Sequence, residues 1–142
     1  MKFTNTITIG RRPAEVFAYL TDLENLPRWN YAISETRKIT TGPVTVGSRY
    51  RQRRTIPVPV EETLEVTEFE PDHTLTIIGS LASLPARITY TLHPDGHATT
   101  LTNTVELRPP RALDLLAPVA ARRIKSAVAA NLGVLKRTLE QP

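Results

Sequence analysis

The stretch Pro13-Ala14-Glu15-Val16-Phe17-Ala18-Tyr19-Leu20-Thr21-Asp22-Leu23-Glu24-Asn25-Leu26-Pro27-Arg28-Trp29 decides the fold, because its helical spacing separates one short strand from a long succession of others. Val16, Phe17 and Leu20 share a helical face, and a proline stands in the first turn, where its missing N–H costs nothing. Thr21 or Asp22 is expected to cap a second short helix over 22–26, which Pro27 is expected to stop. The segment 13–28 thus reads as a helical pair.

Upstream, Phe3, Asn5, Ile7 and Ile9 alternate with Thr4, Thr6 and Thr8, predicting a strand that Gly10 ends. Downstream the period stays at two from Tyr31 to Leu107. Turn signals fall at Gly42-Pro43, at 56–59, at Glu70-Pro71-Asp72, at 79–85 and at Pro94-Asp95-Gly96. They predict six strands, over 31–41, 46–55, 59–69, 73–79, 86–93 and 98–108. Connections this short require antiparallel neighbours. After Pro109-Pro110 the spacing becomes helical again: Leu113, Leu116, Ala120, Ile124, Ala127, Val128, Leu132, Leu135 and Leu139 form an apolar stripe opposite Arg122, Arg123, Lys125, Lys136 and Arg137. Pro118 predicts a kink in this helix or its true start. The expected architecture is α+β, a curved seven-stranded antiparallel sheet with two short helices and one long C-terminal helix. A sheet closed around one helix leaves space, so this arrangement predicts a cavity.

The 142 residues are expected to form a single domain, 1–142. Without cysteine the chain can hold no disulfide, thiolate zinc site, iron–sulfur cluster or cysteine nucleophile. Neither a signal peptide nor an apolar span is visible, and a soluble cytoplasmic protein is expected. Lys and Arg number 18 against 14 Asp and Glu, a surplus that raises the question of a polyanionic partner.

The residues resemble the SRPBCC superfamily, the helix-grip fold of START lipid-transfer domains, polyketide cyclase/dehydrase proteins and birch-pollen-allergen-like proteins. The resemblance rests on Ile9 with Pro13-Ala14-Glu15-Val16-Phe17, on Asp22-Leu23-Glu24-Asn25-Leu26-Pro27-Arg28-Trp29, on Val46-Gly47-Ser48-Arg49-Tyr50, and on Val66-Thr67-Glu68-Phe69-Glu70-Pro71. On the final helix it continues through Asn131-Leu132, Leu135-Lys136 and Leu139-Glu140. It implies one pocket, which the superfamily uses for binding, transport or catalysis.

If 56–58 closes a hairpin, Arg49, Arg51 and Arg53 face Glu65, Thr63 and Glu61 on one side, and Tyr50, Gln52 and Arg54 face Leu64, Glu62 and Val60 on the other. Leu64 and Val66 mark the second side as inner. Most of the basic surplus becomes a solvated ladder, each pair worth at most about 1 kcal/mol. Arg54 and Glu62 point inward, either as a structural ion pair or, with Tyr50, as the polar end of the cavity, where Glu62 would hold its proton more tightly and act as acid or base. Tyr90 and Asn103 are polar groups on apolar strand faces, to be satisfied locally or by a ligand. Trp29 is read both as closing the barrel end, the role the resemblance implies, and as stacking on a ligand. Glu35 and Arg37 share parity with Ile33 and Ile39, so a bulge turns them out or they edge the pocket.

The expected ligand-binding residues are Trp29, Tyr50, Arg54, Glu62, Ile77, Tyr90, Asn103, Leu116, Ala120 and Ile124. The first reading is binding or transport of a lipid, isoprenoid or polyketide-like molecule. An alternative is a cyclase or dehydratase using Glu62, Tyr50, Arg54 and Tyr90. A third is an interaction module on the basic face of the last helix, where no aromatics accompany the charges to stack on bases, so no nucleic acid is expected. His93 and His97 flank a turn without a third convergent ligand, and neither metal nor cofactor is expected. Leu81 and Leu84, in a connection beside the cavity, are read as a core cap or as a lid able to touch a membrane transiently, without stable insertion.

Overall fold

The computed structural model describes residues 1–81, 84–108, 115 and 117–142. The elements run β1 (Lys2–Ile9), α1 (Pro13–Thr21), a 3-10 turn (Leu23–Asn25), α2 (Leu26–Trp29), β2 (Ile33–Lys38), β3 (Arg49–Arg54), β4 (Val60–Glu70), β5 (Thr74–Leu81), β6 (Leu84–Asp95), β7 (Ala98–Leu107) and α3 (Ala117–Glu140). The strands form one antiparallel sheet in the order β1-β7-β6-β5-β4-β3-β2, a meander from β2 to β7 completed by β1 at the far edge. This is the α+β helix-grip arrangement.

Period-two alternation sorts the sheet into faces. On β3, Tyr50, Gln52 and Arg54 are buried while Arg49, Arg51 and Arg53 are exposed. The β3–β4 register pairs Tyr50 with Leu64, Gln52 with Glu62, Arg53 with Glu61 and Arg54 with Val60, as the hairpin reading requires. The register between β2 and β3 shifts between Ile33 and Glu35. That bulge turns Glu35 and Arg37 outward, where they pair with each other.

The helical pair departs from the sequence reading in two ways. Pro27 does not stop the second helix but sits in its first turn, because α2 begins at Leu26 and the preceding turn is a separate 3-10 unit. Neither Thr21 nor Asp22 caps a helix through its side chain; the Thr21 hydroxyl donates to the Phe17 carbonyl at 2.7 Å, back into its own helix. α1 buries Val16, Phe17 and Leu20, with Phe17 edge-on to Phe69 of β4 at 5.3 Å, and so closes one end of the sheet.

The connection expected over 79–85 is much shorter, since β5 and β6 stay paired out to Leu81 and Leu84. Its tip, Ala82 and Ser83, lies outside the described residues. Leu84 packs with Phe3, Ala86, Val105 and Leu107 in a small second core.

α3 starts at Ala117, with Pro118 in its first turn. Its stabilising contacts are asymmetric. Leu132 and Leu135, both in its second half, are buried, and beyond them Lys136 Nζ donates to the Thr8 carbonyl at 2.6 Å and pairs with Glu140 at 2.7 Å. The Gly10 amide donates to Glu140 Oε2 at 2.6 Å and Arg11 Nε to the Leu139 carbonyl at 2.7 Å. Edge strand β1 and the turn that follows it thus clamp the helix C-terminus. In its first half Ile124, Ala127 and Val128 are only half-buried.

The bond from Lys136, then that from the Gly10 amide, holds the Glu140 carboxyl below its ordinary pKa. A carboxyl lowered in this way stabilises the fold above its unfolded-state pKa, and the contribution is lost as pH falls through the lowered value. Glu140→Gln is therefore expected to lower Tm modestly at neutral pH, with the two Tm curves converging in acid. Parallel curves down to low pH would rule this out.

Candidate functional site

The concave face, α2 and the middle of α3 enclose a small chamber of about 50 Å³. Trp29 and Leu26 of α2 form one wall, Ile77, Ile88 and Val105 of the central strands the floor, and Gln52, Arg54, Tyr90, Asn103 and Asn131 supply polar groups. Asn30, Arg54, Leu81, Val128 and Asn131 also border a wider mouth of about 400 Å³ between the first half of α3 and the β3–β4 hairpin. Ile56, Pro57, Ile124 and Ala127 make much of that mouth apolar, with Tyr31 and Arg123 also on its wall.

The residues singled out in the sequence divide accordingly. Trp29, Arg54, Ile77, Tyr90 and Asn103 line the inner chamber and Ile124 the mouth. Leu116 lies outside the described residues. Ala120, half-buried one turn before Ile124, is on neither described wall. Tyr50 and Glu62 are buried on the inner face but lie behind the walls.

The polar end is organised around Glu62. Its Oε1 accepts from Gln52 Nε2 at 2.8 Å and from Arg54 Nε at 2.9 Å. Gln52 and Arg54, two residues apart on β3, line the chamber and Glu62 does not, and the carboxylate fixes the orientation of both side chains. Tyr50 lies toward the 3-10 turn. Burial, then the negative charges of Asp22 and Glu24, push its phenol up to about 12. Burial likewise raises the phenol of Tyr90, which meets Trp29 edge-on at 6.4 Å and 78°.

Several buried atoms lack hydrogen-bond partners among the described residues: Gln52 Oε1, Glu62 Oε2, Asn103 Oδ1, Asn131 Oδ1 and the Tyr50 hydroxyl. The Tyr19 hydroxyl and Thr36 Oγ1 are also unpaired, but Gln52, Asn103 and Asn131 line the chamber, where water or a ligand would satisfy groups that are normally paired when buried. Neither Gln52 nor Asn131 was chosen from the sequence, although both were signalled there. Gln52 lies between Tyr50 and Arg54 in the same parity, and Asn131 interrupts the apolar stripe seven residues after Ile124. Asn30 and Val128 were also missed.

Leu81, at the end of β5, borders both spaces. His73 and His93 stack edge-on at 5.4 Å away from these walls. No described helix is long and apolar enough to cross a membrane.

A curved sheet gripping one long helix over a partly apolar cavity defines a helix-grip pocket protein. The chain belongs to the polyketide cyclase / dehydrase and lipid transport family, whose model matches residues 1–140. No curated protein matches the sequence significantly. Among solved structures it is similar to TTHA0849 from Thermus thermophilus (TM-score 0.77, 17% identity, covering 98% of this chain and 97% of that one). A conserved protein from Geobacillus kaustophilus gives TM-score 0.78 at 15% identity, over 98% and 95% of the two chains. StfQ, the di-domain ARO/CYC from the steffimycin biosynthetic pathway, gives 0.78 at 16% identity over 98% of this chain and 50% of StfQ. At such identities the likeness establishes the fold alone.

Proposed function

We propose that the chain, as one domain over 1–142, binds and carries a hydrophobic or amphipathic small molecule of lipid, isoprenoid or polyketide-like character. The observation that carries this reading is the two-part cavity. The mouth of about 400 Å³ falls within the usual range of small-molecule sites, roughly 300–1,000 Å³, and adjoins a chamber of about 50 Å³ whose mainly apolar walls carry a few polar groups and which admits only a head group or a few waters. The tail would lie in the mouth against Ile56, Ile124, Ala127 and Val128. Family membership supports the same class of ligand.

The cyclase or dehydratase alternative draws less support. Among the described residues the walls of both spaces carry no carboxylate and no imidazole, and Glu62 sits behind Gln52 and Arg54. General acid–base chemistry needs such a group within reach of the reacting atoms. The basic-face alternative is weakened because Lys136 is engaged with Thr8 and Glu140, and Arg123 belongs to the mouth.

The test is native mass spectrometry of the purified protein beside Ala127→Trp, which places an indole in the mouth. A co-purified hydrophobe is expected on the first, and weakening of its binding by about tenfold or more on the second, with Tm unchanged. Equal ligand occupancy in the two proteins would overturn the placement, and absence of any bound or bindable hydrophobe would overturn the function.

A further inference from the structure

Resting on that reading, we propose that the ligand's head group is a neutral hydroxyl, selected over a carboxylate by the hydrogen-bonding inventory of the inner chamber. Gln52 gives its amide N–H to Glu62 Oε1 at 2.8 Å. Because a carboxylate oxygen only accepts, this fixes the orientation of the amide and leaves Gln52 Oε1 as an acceptor without a donor. Asn103, fully buried, turns Nδ2 toward the Thr89 carbonyl at 3.5 Å, which leaves Oδ1 in the same condition. Asn131 Oδ1 on α3 is a third. All three residues line the chamber.

The chamber's strongest donor is Arg54. Its Nε is committed to Glu62 Oε1 at 2.9 Å, and no other hydrogen bond of its guanidinium occurs among the described residues. A ligand group seated here therefore meets both remaining N–H donors and amide oxygens. A hydroxyl has one proton to give and two lone pairs to receive, and serves both. A carboxylate has no proton to give, so it serves none of the amide oxygens, whereas the hydroxyl proton pairs one of them. It would also add a second negative charge beside an arginine already neutralised by Glu62. An ammonium would satisfy the oxygens but face the Arg54 cation. A chamber of about 50 Å³ suits a group as small as a hydroxymethyl.

The test compares decan-1-ol, its methyl ether and decanoate, which share a tail and differ at the head, by titration at pH 7 against wild type, Asn103→Leu and Asn131→Leu. The expected result is that decan-1-ol binds wild type at least about tenfold more tightly than either competitor. Because the hydroxyl has one proton, at least one of the two leucine variants, the one lacking the oxygen it serves, should cut that preference to about threefold or less while leaving the ether's affinity unchanged. Asn131→Leu, on a helix face, serves where Asn103→Leu fails to fold. Equal binding of alcohol and ether, tighter binding of decanoate, or a preference that survives in both leucine variants overturns the head-group assignment and leaves the binding function standing. Failure of all three ligands to bind, with no co-purified hydrophobe, removes the function and this assignment together.

Discussion

Glu62→Ala is expected to lower the unfolding free energy by about 3–5 kcal/mol, because it strands the Arg54 charge in a buried site. Both side chains are almost wholly inaccessible, at 7% and 2% exposure for Arg54 and Glu62, and the surrounding atoms offer Arg54 no other carboxylate partner among the described residues. The loss is large beside a typical total stability of roughly 5–15 kcal/mol. Removing both members behaves differently. Arg54→Leu/Glu62→Leu should recover to within about 1 kcal/mol of wild type or exceed it, since two desolvation costs disappear with the one attraction. Urea unfolding of the three proteins decides the matter: a single mutant within about 0.5 kcal/mol of wild type, inside the range of ordinary surface substitutions, would show that the pair is not buried as described. The single mutant also predicts a change in ligand choice, since Arg54 without Glu62 should favour decanoate.

Trp29→Ala should cost about 3–5 kcal/mol, the range for truncating a large buried aromatic. Trp29 is 4% exposed, packs in the main core cluster and meets the ring of Tyr90. Its indole also walls the inner chamber, so the space it vacates adds directly to about 50 Å³. The variant is therefore expected to bind bulkier head groups that wild type excludes, whereas Trp29→Phe should lose less stability and keep the narrow preference. Measuring urea midpoints and affinities for decan-1-ol and a ring-bearing alcohol tests both halves. Unchanged selectivity in a destabilised Trp29→Ala would assign Trp29 to packing alone.

The register of the β3–β4 hairpin was readable because turn position and alternating polarity constrain each other: once 56–58 closes the turn, Gln52 must meet Glu62 and Arg54 must meet Val60. The start of α3 was readable because Pro118 can stand only in a first turn or a kink. Parity assigns a face, however, and not a depth. Tyr50, Gln52, Arg54 and Glu62 all point inward, yet only Gln52 and Arg54 reach the chamber, a distinction set by neighbouring strands and by α2 packing. Charge also drew attention away from the amides. Glu62 stands out in the sequence as a charged group on the inner face, whereas the amides of Gln52 and Asn131, which line the chamber, carry no charge to single them out. Pro27 misled because a proline that ends one helical turn is equally suited to begin the next.

The uneven fastening of α3 gives the pocket a lever. The far end of the helix is pinned by Leu132, Leu135 and the Gly10–Lys136–Glu140 contacts. Among the described residues the near half has one side-chain bond, from Asn5 Nδ2 to the Lys125 carbonyl at 3.3 Å, and Ile124 and Val128 pack on the second core while staying half-covered. Segments with little buried apolar surface open at a fraction of the global unfolding free energy. If the pocket binds as proposed, lifting the near end would admit a ligand while the pinned end keeps the sheet closed, and substitutions in the two halves of the helix should then alter loading speed and fold stability separately.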